Sequence, residues 1–243
     1  MQKLVIIFSI ALLSAGCVTK RPITLQDNAK IGVYASYQDI TINNIWNKDT
    51  ARRDKQKDIL IEVEWGLKDK IENALLKKAQ QKWPLKITKI KHINANLGPS
   101  DAISYGFSSV YEHFIPAFKE VKDKNGIEVL ILAKPAWRYY HAETPLYNKG
   151  IGIQSFQDGL SGHVGVDIFA IDLHTMTIIF PASQDGITME PFIKNFDLTK
   201  IHAEVNRQTE QVVIHPAYKE KVFLEIDKIT NWFINEVPIS LAK

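Results

Sequence analysis

Cys17 is the only cysteine in a chain of 243 residues, so no disulfide can form within one molecule. Whatever this chain folds into must be held by packing alone. Its length is sufficient for that, since the residues from position 17 onward are enough for one large domain or two small ones with a sizeable core. The residues before the cysteine have a different character. Met1-Gln2-Lys3 is followed by an apolar run from Leu4 to Leu13, broken only by Ser9, and then by Ser14-Ala15-Gly16. A short charged start, a ten-residue apolar stretch and small residues at a cut site form the layout of a secretory signal. Ten helical residues rise about 15 Å against a bilayer core of roughly 30 Å, too short for a permanent span.

The run Leu13-Ser14-Ala15-Gly16-Cys17 resembles the lipobox of bacterial lipoproteins, with Ser14 where leucine is usual and Leu13 one place further back. The resemblance implies removal of residues 1–16 and a covalent lipid, palmitate among its chains, on Cys17. Several acyl chains make such an anchor durable. Val18 follows the cysteine where an aspartate would retain a lipoprotein in the inner membrane. The resemblance therefore implies the outer membrane and its periplasmic face. Residues 17–29 read as the lipidated cysteine and a polar tether, which reaches some 30 Å if extended. Residues 30–243 read as one domain.

Charge narrows the function. Removing residues 1–16 takes Lys3 from the 30 basic residues and leaves all 27 acidic ones, a nearly neutral chain. A nucleic-acid binder carries a basic excess, so no nucleic-acid partner is expected. The expected partners are the membrane, through the lipid, and another protein of the cell envelope.

Hydrophobic periodicity predicts an α/β fold: a single mixed sheet, three or four main helices packed on it, and one β-hairpin near 164–182 (α+β is the variant of this class). Ile31–Ala35 reads as the first strand and 39–54 as a polar loop. Leu60, Val63, Leu67, Ile71, Ala74 and Leu75 form a helical stripe over 58–80, and 85–90 alternates as a strand. A second helix is predicted over 108–122, kinked at Pro116. Ile127–Ala133 is a continuous apolar run suited to a central strand, and helix, turn and buried strand in sequence indicate a crossover connection. Residues 164–172 and 177–182 form the two arms of the hairpin. Pro191 is expected to open a helical region, with further helices over 198–213 and 218–237. Residues 143–162, rich in Gly, Pro and Ser, read as an inserted loop, and long loops of that kind are usually functional or disordered.

Chemical motifs are sparse. CxxC, HExxH, the P-loop and the GxSxG elbow are all missing from the sequence, so neither a metal site nor a cofactor besides the lipid is expected. His141, Ser161 and His163, with Glu143 and Asp158 nearby, are the candidates for base, nucleophile and orienting carboxylate, but nothing in their spacing requires them to converge. Trp137, Arg138, Tyr139, Tyr140, Tyr147 and Phe156 gather aromatic side chains and an arginine around the loop. These residue types dominate binding hot spots, and they are the candidate partner-binding residues; the alternative is that they pack beneath the loop and hold it down. Two basic stretches, 52–57 and the lysines from Lys77 to Lys91, read either as attraction to anionic head groups or to an acidic partner, or as solvated faces.

The order of strand, long helix, strand, helix, buried strand and hairpin, with Phe169-Ala170-Ile171-Asp172-Leu173 closing its first arm, resembles the α/β domain shared by the TolB amino-terminal domain and several envelope lipoproteins. Among those are the curli secretion lipoprotein and the lipoprotein activators of peptidoglycan synthases. The usual turn glycine is missing around His174-Thr175-Met176, and residues 137–162 have no counterpart, so no functional residue is transferred. The resemblance implies a protein that binds other envelope proteins, as an adaptor or accessory subunit, and is not catalytic. A self-oligomerising component of a secretion or transport channel is the first alternative. An envelope hydrolase using the 141–163 loop is the second.

Overall fold

Three strands, Lys86–Lys89, Lys30–Ala35 and Val129–Pro135, run parallel as neighbours, and the rest of the fold is built onto them. The computed structural model describes residues 22–37, 40–45, 57–98, 103–105, 109–140, 146–156, 159–179, 192–197, 204–206, 211–214 and 216–242. In chain order the elements are β1 (Ile23–Leu25), β2 (Lys30–Ala35), β3 (Ile40–Ile45), β4 (Lys57–Glu62), α1 (Leu67–Lys82), β5 (Lys86–Lys89), β6 (Ser104–Tyr105), β7 (Ser109–Val110), a 3-10 turn at Glu112–Phe114 and α2 (Ile115–Asn125). They continue as β8 (Val129–Pro135), β9 (Trp137–Tyr140), β10 (Leu146–Lys149), β11 (Ile151–Phe156), β12 (Gly159–Asp172), β13 (Thr177–Ile179), β14 (Phe192–Asp197), β15 (Glu204–Asn206), β16 (Gln211–Val213), α3 (Pro216–Glu236) and β17 (Ile239–Leu241).

The sheet is mixed. β5, β2 and β8 are parallel neighbours, and β12 runs antiparallel to β8. β12 is fourteen residues long and belongs to two regions of the sheet. Its carboxyl half, from Val166 to Asp172, lies between β8 and β13. Its amino half, from Gly159 to Val166, lies between β11 and β14, and β11 pairs onward to β3 and β4.

Strand alternation divides the core into two layers. Ile31, Val33, Ile131, Ala133, Ile168 and Ala170 face α1 and α3, whereas Leu130, Leu132, Phe169 and Ile171 face α2. A fully buried side chain of this size contributes about 1.5–3 kcal/mol, so two such layers replace the missing disulfides. α1 and α3 lie side by side and parallel, with Lys70 against Asp227 (2.7 Å), Lys78 against Asn231 (3.1 Å) and Lys82 on the carbonyl of Ile234 (2.5 Å).

The expected α/β class, mixed sheet and hairpin around 173–176 are present, with three helices among the described residues. Several boundaries differ. The first helix begins at Leu67 rather than 58, because residues 57–62 form a strand paired with β3 and Gly66, at φ 67°, interrupts the chain before the helix. Pro116 sits in the first turn of α2, where its missing N–H costs nothing, so it opens that helix instead of kinking it. Residues 192–197 are a strand, and Glu204–Asn206 pairs with Gln211–Val213 where the sequence predicts a helix. The polar loop 39–54 contains β3, and the tether 17–29 contains β1, paired in parallel with β17. The expected loop 143–162 is largely strand: β10, β11 and the start of β12.

Candidate functional site

The parallel strands fix where a site is to be sought. The crossover through α1 carries the chain from β2 to β5 on one side, and the crossover through α2 carries it to β8 on the other. Strand order therefore reverses between β2 and β8, and open α/β sheets bind ligands outside the carboxyl ends of strands at such a point. Here those ends are Ala35 to Tyr37 and Ala133 to Ala136.

Buried polar groups collect there. Lys134 is 3% exposed and stands directly opposite Asp167 in the β8–β12 register, with 3.7 Å between Nζ and Oδ2. Lys134 also donates to the carbonyls of Gly98 (3.2 Å) and Pro135 (3.3 Å). Burial pushes the Asp167 carboxyl up to about 6, against the opposing pull of Lys134. Tyr37, also buried, donates its hydroxyl to the carbonyl of Gly165, and burial together with the nearby Asp167 charge holds that phenol well above its usual range. Glu72 on α1 is buried as well. Its Oε1 accepts the Ala35 N–H (3.1 Å), Lys89 lies 3.6 Å from Oε2, and Lys68 stands 3.9 Å from Oε1.

Beyond this cluster β8 gives way to β9 at Ala136. Gly150 makes the junction. Its N–H donates to the Ala136 carbonyl (2.7 Å) and its own carbonyl accepts the Gly165 N–H (2.7 Å), while the Ala136 N–H donates to the Gly165 carbonyl (3.1 Å). Gly150 has φ 59°, and an added Cβ would lie 3.2 Å from Pro135, so both conformation and space call for glycine. β9 and β10 leave this point as a two-stranded ribbon. Tyr139 is opposite Tyr147, Trp137 opposite Lys149, and Arg138 opposite Asn148. Among the described residues, neither strand pairs with any other.

The structure thus brings Trp137, Arg138, Tyr139, Tyr140 and Tyr147 into one ribbon. It places Phe156 apart from them, at the far end of β11, where it pairs with Gly159. Ser161 and His163 lie two residues apart on β12, flanked by β11 and β14; His163 is buried, opposite Gly152 and Asn195. His141, Glu143 and Asp158 lie outside the described residues, as do Cys17 and the basic residues 52–55. Among the described residues, no three His, Cys, Asp or Glu side chains are grouped to hold a metal ion, and no helix is long and apolar enough to cross a membrane. Sequence reasoning missed Lys134, Asp167, Glu72 and Tyr37. A lysine ending the apolar run 127–133 and an aspartate within 164–172 were the available signals, since charges inside apolar strands demand partners.

The extension is tied to the helical layer by Tyr218 near the start of α3. Its hydroxyl donates to the Gly152 carbonyl (2.7 Å), its ring meets Trp65 edge-on at 5.5 Å, and burial raises its phenol far above the usual range.

No known family model matches the sequence, and no curated protein matches it. Among solved structures the chain is similar to PelC from Paraburkholderia phytofirmans, a dodecamer seen in two crystal forms. One, a variant, gives a TM-score of 0.35 at 10% identity, covering 88% of this chain and 93% of that one. The other gives 0.34 at 10% identity, covering 87% and 91%. The hypothetical protein CT253 from Chlamydia trachomatis gives 0.31 at 12% identity, covering 85% and 98%.

Proposed function

We propose that this chain is a lipoprotein of the outer membrane, held at the periplasmic face by lipid on Cys17. It works by binding another envelope protein, as an adaptor or accessory subunit of a cell-envelope assembly. The observation that carries the binding role is the β9–β10 ribbon. Its four residue pairs hold Trp137, Arg138, Tyr139, Tyr140 and Tyr147, and an isolated two-stranded ribbon is marginal in water. Such a ribbon gains stability from a surface laid against it. Tyrosine, tryptophan and arginine also supply the largest contributions per residue when an interface forms. The layout of residues 1–17 supports the anchor.

In-cell photo-crosslinking with the probe at Tyr139 and at Tyr147 tests the reading. A discrete heavier band containing a second envelope protein supports the adaptor. A ladder of self-adducts points instead to a self-assembling component. Silence at both positions, with the protein present, sinks the ribbon as the contact surface. Mass spectrometry of the amino-terminal peptide tests the anchor separately: an acylated Cys17 is expected, and an unmodified one removes the membrane from the proposal.

A further inference from the structure

We infer that the open edge of β5 is a docking site for an acidic, extended segment of another protein, which adds to the sheet as a further strand beside Ile87 and Lys89. The edge involves neither the β9–β10 ribbon nor Cys17, so it goes beyond the adaptor reading and does not depend on it.

Backbone direction makes the edge. Among the described residues β5 pairs with β2 alone, in parallel. Just past the end of β5 the Ile90 N–H donates to the Val33 carbonyl (2.8 Å). In a parallel ladder alternate residues of a strand carry both of their bonds toward the same neighbour. Lys86, Thr88 and Ile90 therefore turn their N–H and C=O groups toward β2. Ile87 and Lys89 turn theirs outward, and among the described residues no group bonds to them there. The strand itself is held firmly. Ile87 is buried in the layer beneath α1 and α3, and the Lys89 ammonium lies 3.4 Å from Asp69 and 3.6 Å from Glu72 on α1. The outward groups are thus presented in fixed strand geometry, the template that strand addition requires.

Charge selects the occupant. From Asn73 to Leu97 the sequence carries Lys77, Lys78, Lys82, Lys86, Lys89 and Lys91 and no acidic residue. Lys78 and Lys82 are turned to α3, on Asn231 and on the carbonyls of its last turn. Lys86 and Lys91 stand at the two ends of the open edge, exposed, and meet no carboxylate among the described residues. A second copy of the same edge would set lysine against lysine, which is how open strands are guarded against self-pairing. The same lysines attract a strand that bears glutamate or aspartate at alternate positions. An anionic membrane surface meets the charge but leaves the outward N–H and C=O groups of Ile87 and Lys89 without partners. A peptide strand running about 4.8 Å from β5 satisfies both.

The test uses the full-length protein in detergent and a capped octapeptide of alternating threonine and glutamate, with fluorescence anisotropy for affinity and residue-resolved amide exchange for position. Saturable binding is expected, with slowed exchange at the Ile87 and Lys89 amides and none at Thr88, whose N–H already faces β2. Lys86→Glu should weaken binding severalfold. Lys89→Pro removes an outward N–H at an edge position that tolerates proline, and should weaken binding about fivefold beyond Lys89→Gln, which removes only the charge. The fully N-methylated peptide keeps its charges but offers no N–H, and asks the same question without altering the protein. Equal affinity for that peptide, or binding without slowed exchange at Ile87 and Lys89, reduces the edge to a charged surface and overturns the inference. Slowing at those amides with protein concentration alone assigns the edge to a second copy, and slowing with phosphatidylglycerol vesicles assigns it to the membrane; either overturns it. So does the absence of binding at millimolar peptide.

Discussion

Asp167 and Lys134 face each other across two central antiparallel strands, carboxylate to ammonium at 3.7 Å, and desolvation raises the Asp167 carboxyl more than the lysine lowers it. The carboxyl therefore titrates at about 6. The two residues are thus not equivalent, and substitutions should separate them.

A carboxyl whose folded pKa is raised binds its proton more tightly in the native state. Its contribution to stability is therefore greatest below the unfolded value of 3.8 and falls as pH rises to about 6. Asp167→Asn is expected to leave stability at pH 4 nearly unchanged and to raise it relative to the parent above pH 6, by up to about 3 kcal/mol. Lys134→Met does the reverse, stranding a buried carboxylate at pH 7 at a cost of about 3–5 kcal/mol that shrinks in acid. Denaturant melts of both variants at pH 4 and pH 7 check this. Equal losses at both pH values for both variants would contradict it.

Tyr218 links α3 to β11 through one hydroxyl. Removing that oxygen in Tyr218→Phe withdraws one partner from the Gly152 carbonyl and should cost about 1–2 kcal/mol. Hydrogen exchange within 151–156 should accelerate while that within β2 does not. Unchanged exchange in β11 would show that the tyrosine merely fills space.

Gly32 on β2 lies beneath the second core layer. A Cβ there would stand 2.5 Å from Ile127 Cδ1 and 2.9 Å from Ile90 Cγ1. Gly32→Ala is expected to destabilise by about 1–3 kcal/mol through overpacking. Adding Ile127→Val removes the closer methyl and should restore part of the loss, a coupling that a double-mutant cycle reads directly.

Lys82 closes the end of α3 from the neighbouring helix. Its ammonium reaches the carbonyls of Ile234 (2.5 Å), Asn235 (2.9 Å) and Val237 (3.4 Å). Lys82→Met leaves those acceptors to water and removes a cation from the negative end of the helix, for about 1–2 kcal/mol. Thermal melts should show the loss, and because β17 follows α3 directly, exchange at 239–241 should rise with it.

Much of the body is legible in the residues alone. The stripe Leu67, Ile71, Ala74 and Leu75, the apolar run into β8 and the face Val222, Ile226, Ile229 and Phe233 carry their own periodicity, and each lies where that periodicity puts it. The hairpin is legible too, and Asp172 explains how it turns without glycine. Its carboxylate accepts the His174 N–H (2.8 Å) and the Thr175 hydroxyl (2.7 Å), while Met176 takes the positive φ of 54°.

Residues 58–80 mislead because Leu60 and Val63 continue the helical stripe by coincidence, whereas Ile59, Leu60 and Ile61 all belong to a strand paired with β3. Residues 143–162 mislead for the opposite reason. Glycine and serine there imitate a loop, but Ile151 to Phe156 finds β12 on one side and β3 on the other. For the candidate site, the aromatic residue types are visible and their pairing is not: nothing local tells that Tyr139 stands opposite Tyr147 while Phe156 is carried away from both.

The sequence by itself determined the helical and strand faces, the absence of an internal disulfide and the lipobox-like start, because each depends on neighbours within a few turns or on a single residue type. Only the tertiary structure decided that Lys134 meets Asp167, that β1 closes against β17, and that the aromatic residues of β9 and β10 pair in one ribbon. Those are matters of register and burial between segments that lie apart in the chain. Their free energy exists only once the whole sheet has assembled.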